Sequence, residues 1–315
     1  MILTFKPIYF PRVWGGSQLS TVLSREIESD RPIGESWDIV DRKDHQSIVD
    51  SGKFIGQTLD QLIKDEYRYL MGPNWDPNRR FPILVKWLDC AQKLSLQVHP
   101  PARIAESLGG EPKTENWYIA HTSNNSSLYI GLKKGVTKSS FEKALENNDL
   151  DSMCHKVASH SGESILVESG RIHAIGGGNL ILEIQQNSDT TYRVYDWGRK
   201  GLDGKERELH IDESLKSIDF DDFEPSLLKT NGNNGHAIAE CEHFRIRKFC
   251  LSGSFHVDLK SEGENCAIIH SLSKSLTVSG SKVQPYSQAL SPFGEKCWIE
   301  SESAAEFLVT DHFSN

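Results

Sequence analysis

The fold of this chain can be approached from the stretch GRIHAIGGG, residues 170–178. Its glycines bound a turn, and it places His173 just ahead of the apolar run 180–184. Two other side chains that could bind a metal stand far upstream, His99 in the string QVHP and Glu115 in the string KTE. Only a fold that brings distant strands together can unite three such groups. The pattern therefore indicates a metal site and, with it, an enzyme.

Length and composition are those of an ordinary globular protein. A chain of 315 residues is long enough for one large domain or for two modest ones, each with its own core. No apolar run approaches the roughly 18 to 20 residues that a membrane span needs. The N-terminal residues 1–7 lack the pattern of a signal peptide. We therefore expect a cytoplasmic protein without a membrane partner.

Charge and cysteine usage narrow the classes of partner. The net charge of −9 argues against binding to nucleic acid, which needs a basic surface. An acidic protein can still bind an anionic metabolite where cations are concentrated in one pocket. The six cysteines are scattered, with no C-x-x-C pair, which predicts free thiols rather than a disulfide framework or a zinc finger. The sequence leaves the oligomeric state open.

Short apolar runs bounded by turn residues predict a mainly β protein. The segments 267–269, 275–278 and 306–309 are of this kind, and apolar and polar residues alternate over 255–259. Such spacing is typical of an antiparallel sandwich or barrel. We predict that the last ninety residues of the chain are all-β.

Two helical stretches interrupt the first two-thirds of the chain. The apolar residues of segment 59–70 recur at spacings of three and four, which gives a one-sided stripe. Ser139 and Glu142 have the S-x-x-E spacing of a capping box, which predicts a helix that continues through Leu145. We expect both helices to pack against a sheet.

A change in composition suggests where domains divide. An acidic run at 221–224 precedes Pro225, and the segment 231–235 is rich in Asn and Gly, residues that favour turns and linkers. We predict a catalytic domain with a helical insert over residues 1–222, and a smaller C-terminal β domain over residues 223–315.

The string around His99 has the character of a strand that ends at a cavity. Gln97 and His99 are two residues apart, so a strand would put both side chains on one face, about 7 Å apart along the chain. The prolines at 100 and 101 would end the strand, because neither can donate a backbone hydrogen bond. His99 would then be well placed to coordinate a metal.

The donor set itself favours a catalytic metal. Two imidazoles, a carboxylate and an amide from Gln97 suit catalytic zinc, which takes about three protein ligands and keeps an open position. A neutral amide would keep the site positive, so that the ion remains an effective Lewis acid. Two histidines with one carboxylate also suit non-haem iron, and the residues alone do not separate the two metals.

Six strings, in order along the chain, resemble the type I phosphomannose isomerases. The similarity covers roughly residues 5–215, and the compact length resembles the short bacterial form of that family. The strings are GESWDI at 34–39, PILVK at 82–86, LSLQVHP at 94–100, KTENWY at 113–118, RIHAIG at 171–176 and YRVYD at 192–196.

This resemblance implies a fold of the cupin superfamily, with cupin-like jelly rolls, and an activity. The family uses one zinc ion per chain to interconvert mannose 6-phosphate and fructose 6-phosphate through a cis-enediol. By the resemblance, the zinc ligands fall on Gln97, His99, Glu115 and His173. The active-site arginine falls on Arg193.

The substrate pocket is implied in the same way. Lys86, Ser95 and Lys113 match positions associated with it, and the expected ligand is a small phosphosugar. We assign phosphate contact to Lys86, whose apolar surroundings at 83–88 would make an unpaired charge costly. Lys113 would be the general base if burial and the nearby zinc depress its pKa.

Two other classes of function remain open at this stage. One is a non-catalytic sugar-phosphate sensor that keeps the pocket. The other is an iron-dependent cupin oxygenase, since similar barrels host many chemistries.

Overall fold

The computed structural model describes residues 1–230, 235–251, 255–259 and 265–313. The segment predicted as a linker, 231–235, lies outside the described residues except for Gly235. Across the described part of the chain, every helix is too short or too polar to cross a membrane.

The chain forms two compact units. The first unit comprises Tyr9–Ser36 and Lys86–Leu228, and the second comprises Met1–Ile8, Trp37–Val85 and Lys229–Asn315. The break at residues 228 and 229 lies near the predicted boundary. The second unit, however, also takes in two segments from the N-terminal part of the chain. The division into domains 1–222 and 223–315 stays a prediction.

The helices are short and few, and strands dominate. The helices are α1 Gln18–Thr21, α2 Leu59–Leu70, α3 Ala102–Ala105, α4 Lys138–Glu146 and α5 Ile211–Ser217, with 3-10 turns at Glu106–Leu108 and Leu150–Ser152. The strands before residue 230 are β1 Ile8–Gly16, β2 Ile33–Ile39, β3 Asp41–Arg42, β4 His45–Gln46, β5 Ile83–Cys90, β6 Leu96–Val98, β7 Glu115–Thr122, β8 Ser127–Leu132, β9 Cys154–Ala158, β10 Glu163–Val167, β11 His173–Ile175, β12 Asn179–Gln186, β13 Tyr192–Tyr195 and β14 Leu228–Lys229. The later strands are β15 His236–Glu240, β16 Arg245–Leu251, β17 Phe255–Leu259, β18 Ala267–Ser271, β19 Leu276–Val278, β20 Ser281–Val283, β21 Gln288–Ser291, β22 Cys297–Ser301 and β23 Ala305–Asp311.

The first unit is built around a β sandwich. Over the described residues, one sheet has the strand order β1-β2-β5-β12-β7-β10-β14 and the other has β13-β6-β11-β8-β9. Their facing sides share one apolar cluster that includes Trp117 and Ile119 from β7 with Ile130 from β8 and Ile175 from β11. The other side of the second sheet packs on Phe141 of α4 and neighbouring residues. This arrangement leaves one set of inward-facing positions between the two sheets.

The second unit is a sandwich as well, and the prediction that the last ninety residues of the chain are all-β holds for the described ones. One sheet has the order β15-β16-β23-β18-β21 and the other has β17-β22-β19-β20. Apolar residues of both sheets, among them Phe307 and Ile299, form a single core cluster. The mainly β, cupin-type fold class is confirmed.

A glycine turn carries the chain from one sheet of the first sandwich to the other. Strand β11 belongs to the five-stranded sheet and β12 to the seven-stranded one, with only 176–178 between them. A Cβ atom on Gly176 would lie 2.5 Å from the carbonyl oxygen of Ser127. Gly178 has a φ of +86°, which side-chain-bearing residues rarely adopt. Glycine is therefore required where this chain changes sheets.

Both predicted helices form, but the second begins earlier than its predicted cap. Helix α2 starts at a capping box of Thr58 and Gln61, and its apolar stripe is largely buried. Helix α4 is capped by Thr137, which exchanges hydrogen bonds with Ser140. The predicted cap at Ser139 was wrong, because Thr137 is already extended (φ −108°, ψ 161°) and supplies the side-chain acceptor two residues upstream.

Candidate metal centre and active-site cavity

Strand pairing places three of the predicted residues in one row. Strand β6 lies between β13 and β11, and Gln97 pairs directly with Arg193 on one side and with His173 on the other. Directly paired residues on neighbouring strands project to the same face of a sheet. Arg193, Gln97 and His173 therefore lie side by side on the five-stranded sheet. His99 follows immediately after the end of β6.

The carboxylate comes from the opposite sheet. Glu115 is the first residue of β7, where it pairs with Gln185 of β12. Trp117, two residues on and therefore on the same face, meets the His173 ring edge-on with the ring centroids 5.3 Å apart. Glu115 thus reaches the row of Gln97 and His173 from across the sandwich.

Four side chains converge at this point. His99 Nε2 lies 3.3 Å from Glu115 Oε2, and His173 Nε2 lies 3.6 Å from Glu115 Oε1. The side-chain amide nitrogen of Gln97 is 3.2 Å from His173 Nε2. The side chains of His99, Glu115 and His173 are fully buried.

Hydrogen bonds fix the tautomers of both histidines. His99 Nδ1 lies 2.9 Å from the carbonyl oxygen of Thr190, and His173 Nδ1 lies 2.8 Å from that of Arg171. A carbonyl oxygen can only accept, so each Nδ1 carries the proton and donates. Both Nε2 atoms are then left with lone pairs that point toward a carboxylate. Backbone acceptors of this kind orient histidines that bind metals.

These residues fit a metal ion and are poorly satisfied without one. His99 Nε2 and Glu115 Oε1 are buried and have no hydrogen-bond partner among the described residues. Two atoms that each lie about 2.0–2.1 Å from a tetrahedral zinc are about 3.3–3.4 Å apart, close to the spacings measured here. In the described part of the chain, this trio is the cluster of His, Cys, Asp and Glu able to hold a metal. A metal site is therefore present at His99, Glu115 and His173.

Burial and charge keep the donors in the forms that bind a cation. Burial, followed by the charge of nearby Lys113, lowers the pKa of His99 to about 3, and burial also lowers the pKa of His173. Burial alone would raise the pKa of Glu115, but the charge of Lys113 outweighs it and holds that pKa well below its usual range. At neutral pH the site presents two neutral imidazoles and one carboxylate.

Lys113 differs from its sequence-based prediction in one respect. Its ammonium group lies 2.7 Å from Glu115 Oε2. Burial lowers the pKa of Lys113, but the charges of Glu115 and Glu183 outweigh that effect and raise it above its ordinary value. The depressed pKa expected of a general base is absent while Glu115 bears its full charge toward this lysine.

A cavity of about 570 Å³ opens beside the metal site. Its lining includes every predicted substrate or catalytic residue, namely Lys86, Ser95, Lys113 and Arg193, together with Gln97. Arg193 donates from Nη1 to the carbonyl oxygen of Glu208 at 2.7 Å. The sequence-based set therefore lies in one place, although its individual roles remain predictions.

Lys86 has a carboxylate partner that the sequence analysis missed. Its Nζ lies 3.5 Å from Glu183 Oε2, and both side chains are almost fully buried. The other oxygen of Glu183 accepts from Trp117 Nε1 at 3.1 Å. Glu183 interrupts the apolar run of β12, and a charge in such a run is the signal that drew attention to Lys86. The same signal would have found Glu183.

Further charged residues of the cavity carried no signal in the sequence. They come from β1, β2 and two loops. Because these elements are far apart along the chain, no sequence pattern groups their residues together. They are Arg12, Glu35, Asp189, Asp203 and Arg207.

The first unit is a cupin-type β sandwich, and its buried metal site of two histidines and one carboxylate lies beside a charged cavity. These features define a class of protein, the metal-dependent cupin enzymes. Comparisons with known proteins narrow it. Residues 2–111 match the model of the phosphomannose isomerase type I catalytic domain. The chain is 36% identical over 306 residues to the mannose-6-phosphate isomerase ManA of Bacillus subtilis (strain 168), covering 93% of each chain. It belongs to the type I phosphomannose isomerase family, and the prediction that it is an isomerase is confirmed.

Solved structures agree with this placement. A crystal structure of a mannose 6-phosphate isomerase from Bacillus subtilis superposes with a TM-score of 0.83 at 25% identity, covering 98% of this chain and 99% of the other. A mannose 6-phosphate isomerase bound with zinc and yttrium superposes with a TM-score of 0.73 at 13% identity, over the whole of both chains. The second likeness concerns the fold alone.

Proposed function

We propose that this protein is a zinc-dependent aldose–ketose isomerase that interconverts mannose 6-phosphate and fructose 6-phosphate through a cis-enediol. The observation that carries the proposal is the convergence of His99, Glu115 and His173 beside a cavity lined with cations. Support for the substrate comes from the family and from the named activity of its relatives. Support for zinc comes from the donor set and from the related structure that contains it.

In this proposal Gln97 is the fourth zinc ligand. Its amide lies within 3.2 Å of His173 Nε2, and turning the amide over would present its oxygen at the same place. Zinc held by these four residues would supply a Lewis acid that polarises the sugar oxygens and stabilises negative charge.

The neighbouring side chains would then handle protons and charge. Arg193, next to Gln97 in the sheet, is placed to stabilise the enediolate or to hold the sugar. We keep Lys113 as the candidate base under one condition. When Glu115 shares its charge with a divalent ion, the attraction that raises the pKa of Lys113 weakens and the ion repels the ammonium group. Ser95 and Lys86 line the same cavity and would bind the substrate.

A coupled isomerase assay together with metal analysis tests the proposal. Protein purified without added metal should contain about one zinc ion per chain and should convert mannose 6-phosphate to fructose 6-phosphate. Chelation should abolish turnover and zinc should restore it. Iron in place of zinc, with no isomerase activity, would favour the oxygenase class. Binding of the sugar phosphate without turnover would favour a sensor.

Two further proposals concern context. We propose a cytoplasmic location, because all six cysteines are free thiols and four of them are buried. We also propose that the catalytic function resides in the predicted domain 1–222, since every candidate site residue lies within it.

A further inference from the structure

The two histidines of the metal site take their backbone acceptors from different distances along the chain. His173 Nδ1 donates to the carbonyl oxygen of Arg171, two residues away. His99 Nδ1 donates to the carbonyl oxygen of Thr190, which belongs to the loop 187–191 between β12 and β13. The orientation of His99 therefore depends on a loop that is remote from it in the sequence.

This loop is fastened to the segment that leads into β7. Thr190 Oγ1 accepts from the backbone N–H of Glu111 at 2.9 Å. The hydroxyl oxygen of Ser188, which is almost fully buried, accepts from Thr190 N at 3.3 Å and donates to the carbonyl oxygen of Glu111 at 3.4 Å. Two hydroxyl groups of the loop thus hold both backbone groups of Glu111. Glu111 lies shortly before Glu115, the carboxylate of the metal site.

A buried glutamine holds the start of the loop. Gln185 pairs directly with Glu115 between β12 and β7, so the two side chains project to the same face of the sheet. Gln185 Nε2 donates to the carbonyl oxygen of Ser188 at 2.6 Å and to that of Gln186 at 2.9 Å. The residue beside the carboxylate of the metal site therefore also fixes the course of the loop.

These bonds join the two sides of the metal site. Glu115 comes from β7 of one sheet, and His99 follows β6 of the other. The loop 187–191 connects them, because Gln185 anchors it beside Glu115 while the Thr190 carbonyl group orients His99. Outer partners of this kind hold ligand atoms in the geometry that the ion needs, and their loss typically lowers metal affinity by roughly 10- to 100-fold.

We propose that Thr190 is a positioning residue of the metal site, and that its side-chain hydroxyl group contributes to zinc affinity by fixing the carbonyl group that orients His99. Ser188 and Gln185 support the same loop. The inference concerns metal binding, and it rests on the proposed function only for the choice of zinc as the ion.

The zinc affinity of Thr190→Val tests the proposal. Valine has nearly the shape of threonine but lacks the hydroxyl group, so the bond to Glu111 is lost while the carbonyl acceptor of His99 remains. The dissociation constant for zinc, measured by competition with a chromophoric chelator, should rise roughly 10-fold, because the acceptor is loosened rather than removed. Thr190→Ser keeps the hydroxyl group and should bind zinc as tightly as the wild type.

A spectroscopic measurement separates positioning from a general loss of stability. Cobalt(II) in place of zinc gives a visible spectrum that depends on the geometry of the ligands. The spectrum of Thr190→Val should differ from that of the wild type, and the spectrum of Thr190→Ser should match it. Wild-type zinc affinity and a wild-type cobalt spectrum in Thr190→Val would overturn the proposal. Equal losses of zinc affinity in the valine and serine variants would overturn it as well.

The control is Thr21→Val, which makes the same change at an exposed position of α1, where the hydroxyl group donates to the carbonyl oxygen of Ser17 at 3.0 Å. Its zinc affinity and cobalt spectrum should be those of the wild type. Gln185→Met removes the amide that holds the start of the loop, and it should weaken zinc binding too. If Thr190→Val does not fold, wild-type zinc affinity in Gln185→Met would overturn the proposal.

Failure of this inference can be told apart from failure of the proposed function. Zinc binding needs no turnover, so a protein that binds zinc without converting mannose 6-phosphate would refute the isomerase activity and leave the comparison of variants intact. If the protein contains iron, the same variants are titrated with iron(II). Weaker binding by Thr190→Val than by Thr190→Ser and Thr21→Val would support the proposal, and equal binding by all three would overturn it.

Discussion

The two β sandwiches of this chain share an architecture and differ in what faces inward. In the first, inward positions hold the fully buried His99, Glu115 and His173. In the second, the corresponding space is filled by an apolar cluster that includes Phe307 and Ile299. Among the described residues, the second sandwich has no cluster able to hold a metal. The same fold can therefore serve as a reaction site or as a packed core, depending on a few inward side chains.

A buried histidine in each sandwich makes the contrast sharper. His270 of the second sandwich has its Nε2 atom 2.8 Å from the hydroxyl group of Thr310, which can donate to it. The two histidines of the first sandwich instead direct lone pairs at Glu115, which can only accept. In the second sandwich a neighbouring hydroxyl satisfies the Nε2 atom of a buried imidazole, whereas the converging acceptors of the first sandwich need a cation.

The largest expected effect comes from the metal ligands. His99→Ala, Glu115→Ala or His173→Ala should each lower zinc content to near zero and remove nearly all turnover, because a catalytic zinc needs about three protein ligands. His270→Gln, a change to a buried histidine of the other sandwich, should keep both zinc and activity. Elemental analysis and the isomerase assay measure this. Full zinc content in a ligand variant would remove that residue from the site.

Arg193 should affect turnover without affecting the metal. Arg193→Ala should lower kcat by roughly 100-fold or more if the guanidinium stabilises the transition state, with zinc occupancy unchanged. Arg193→Lys should rescue poorly, because an ammonium does not reproduce the planar fork. A rise in KM with kcat near wild type would assign Arg193 to substrate binding alone. Unchanged kinetics in both variants would exclude it from the cavity chemistry.

The second sandwich should affect stability without affecting the metal. Phe307→Ala removes a fully buried ring and should lower the free energy of unfolding by about 3–5 kcal/mol. Removal of zinc from the first sandwich by chelation should leave the secondary structure intact, since a β core of this size does not need a metal to fold. Urea denaturation followed by circular dichroism measures the stability of the Phe307→Ala variant and of the chelated wild-type protein. Cooperative unfolding upon chelation would indicate a structural ion instead.

A smaller effect concerns acid stability. Burial lowers the pKa of His270 to about 3, whereas in the unfolded chain it titrates near 6.5. Between these values the unfolded chain binds a proton that the folded protein does not, so stability present above pH 6.5 is lost as the pH falls. His270 contributes at most about 1.4 kcal/mol per pH unit to this slope.

The variant His270→Gln isolates this contribution, because glutamine can keep a hydrogen bond to Thr310 without titrating. In urea denaturation of the chelated protein at pH 7, 5.5 and 4.5, it should lose less stability on acidification than the wild type does. Equal slopes in the two proteins would show that His270 is protonated in both states or in neither.

Local patterns predicted the strands, the stripe of α2 and the metal-site trio of His99, Glu115 and His173, because each of these leaves a mark over a few residues. The cap of α4 was misplaced because two overlapping polar strings could cap it, and only the backbone at Thr137 distinguishes them. The sequence did not predict which segments form the second unit. Residues 37–85 belong to the same unit as the C-terminal segment, and such long-range packing leaves no periodic pattern in the sequence.

The ion-pair partners of the site residues were the hardest part of the site to predict from the sequence. The pairs Lys86–Glu183 and Lys113–Glu115 set the charge state of the cavity. The first joins residues far apart along the chain. The second joins near neighbours, yet its effect on the pKa of Lys113 depends on burial. Arg207 lies in a polar loop where a cation is ordinary, so only the folded structure reveals its place in the cavity.

Anomalous diffraction at the zinc absorption edge, from crystals grown without added metal, tests the central claim most directly. A peak should lie about 2.0–2.2 Å from His99 Nε2, His173 Nε2 and a carboxylate oxygen of Glu115, and none should lie within the second sandwich. A peak at the iron edge, a zinc peak on other residues, or no metal at the three side chains would contradict the account.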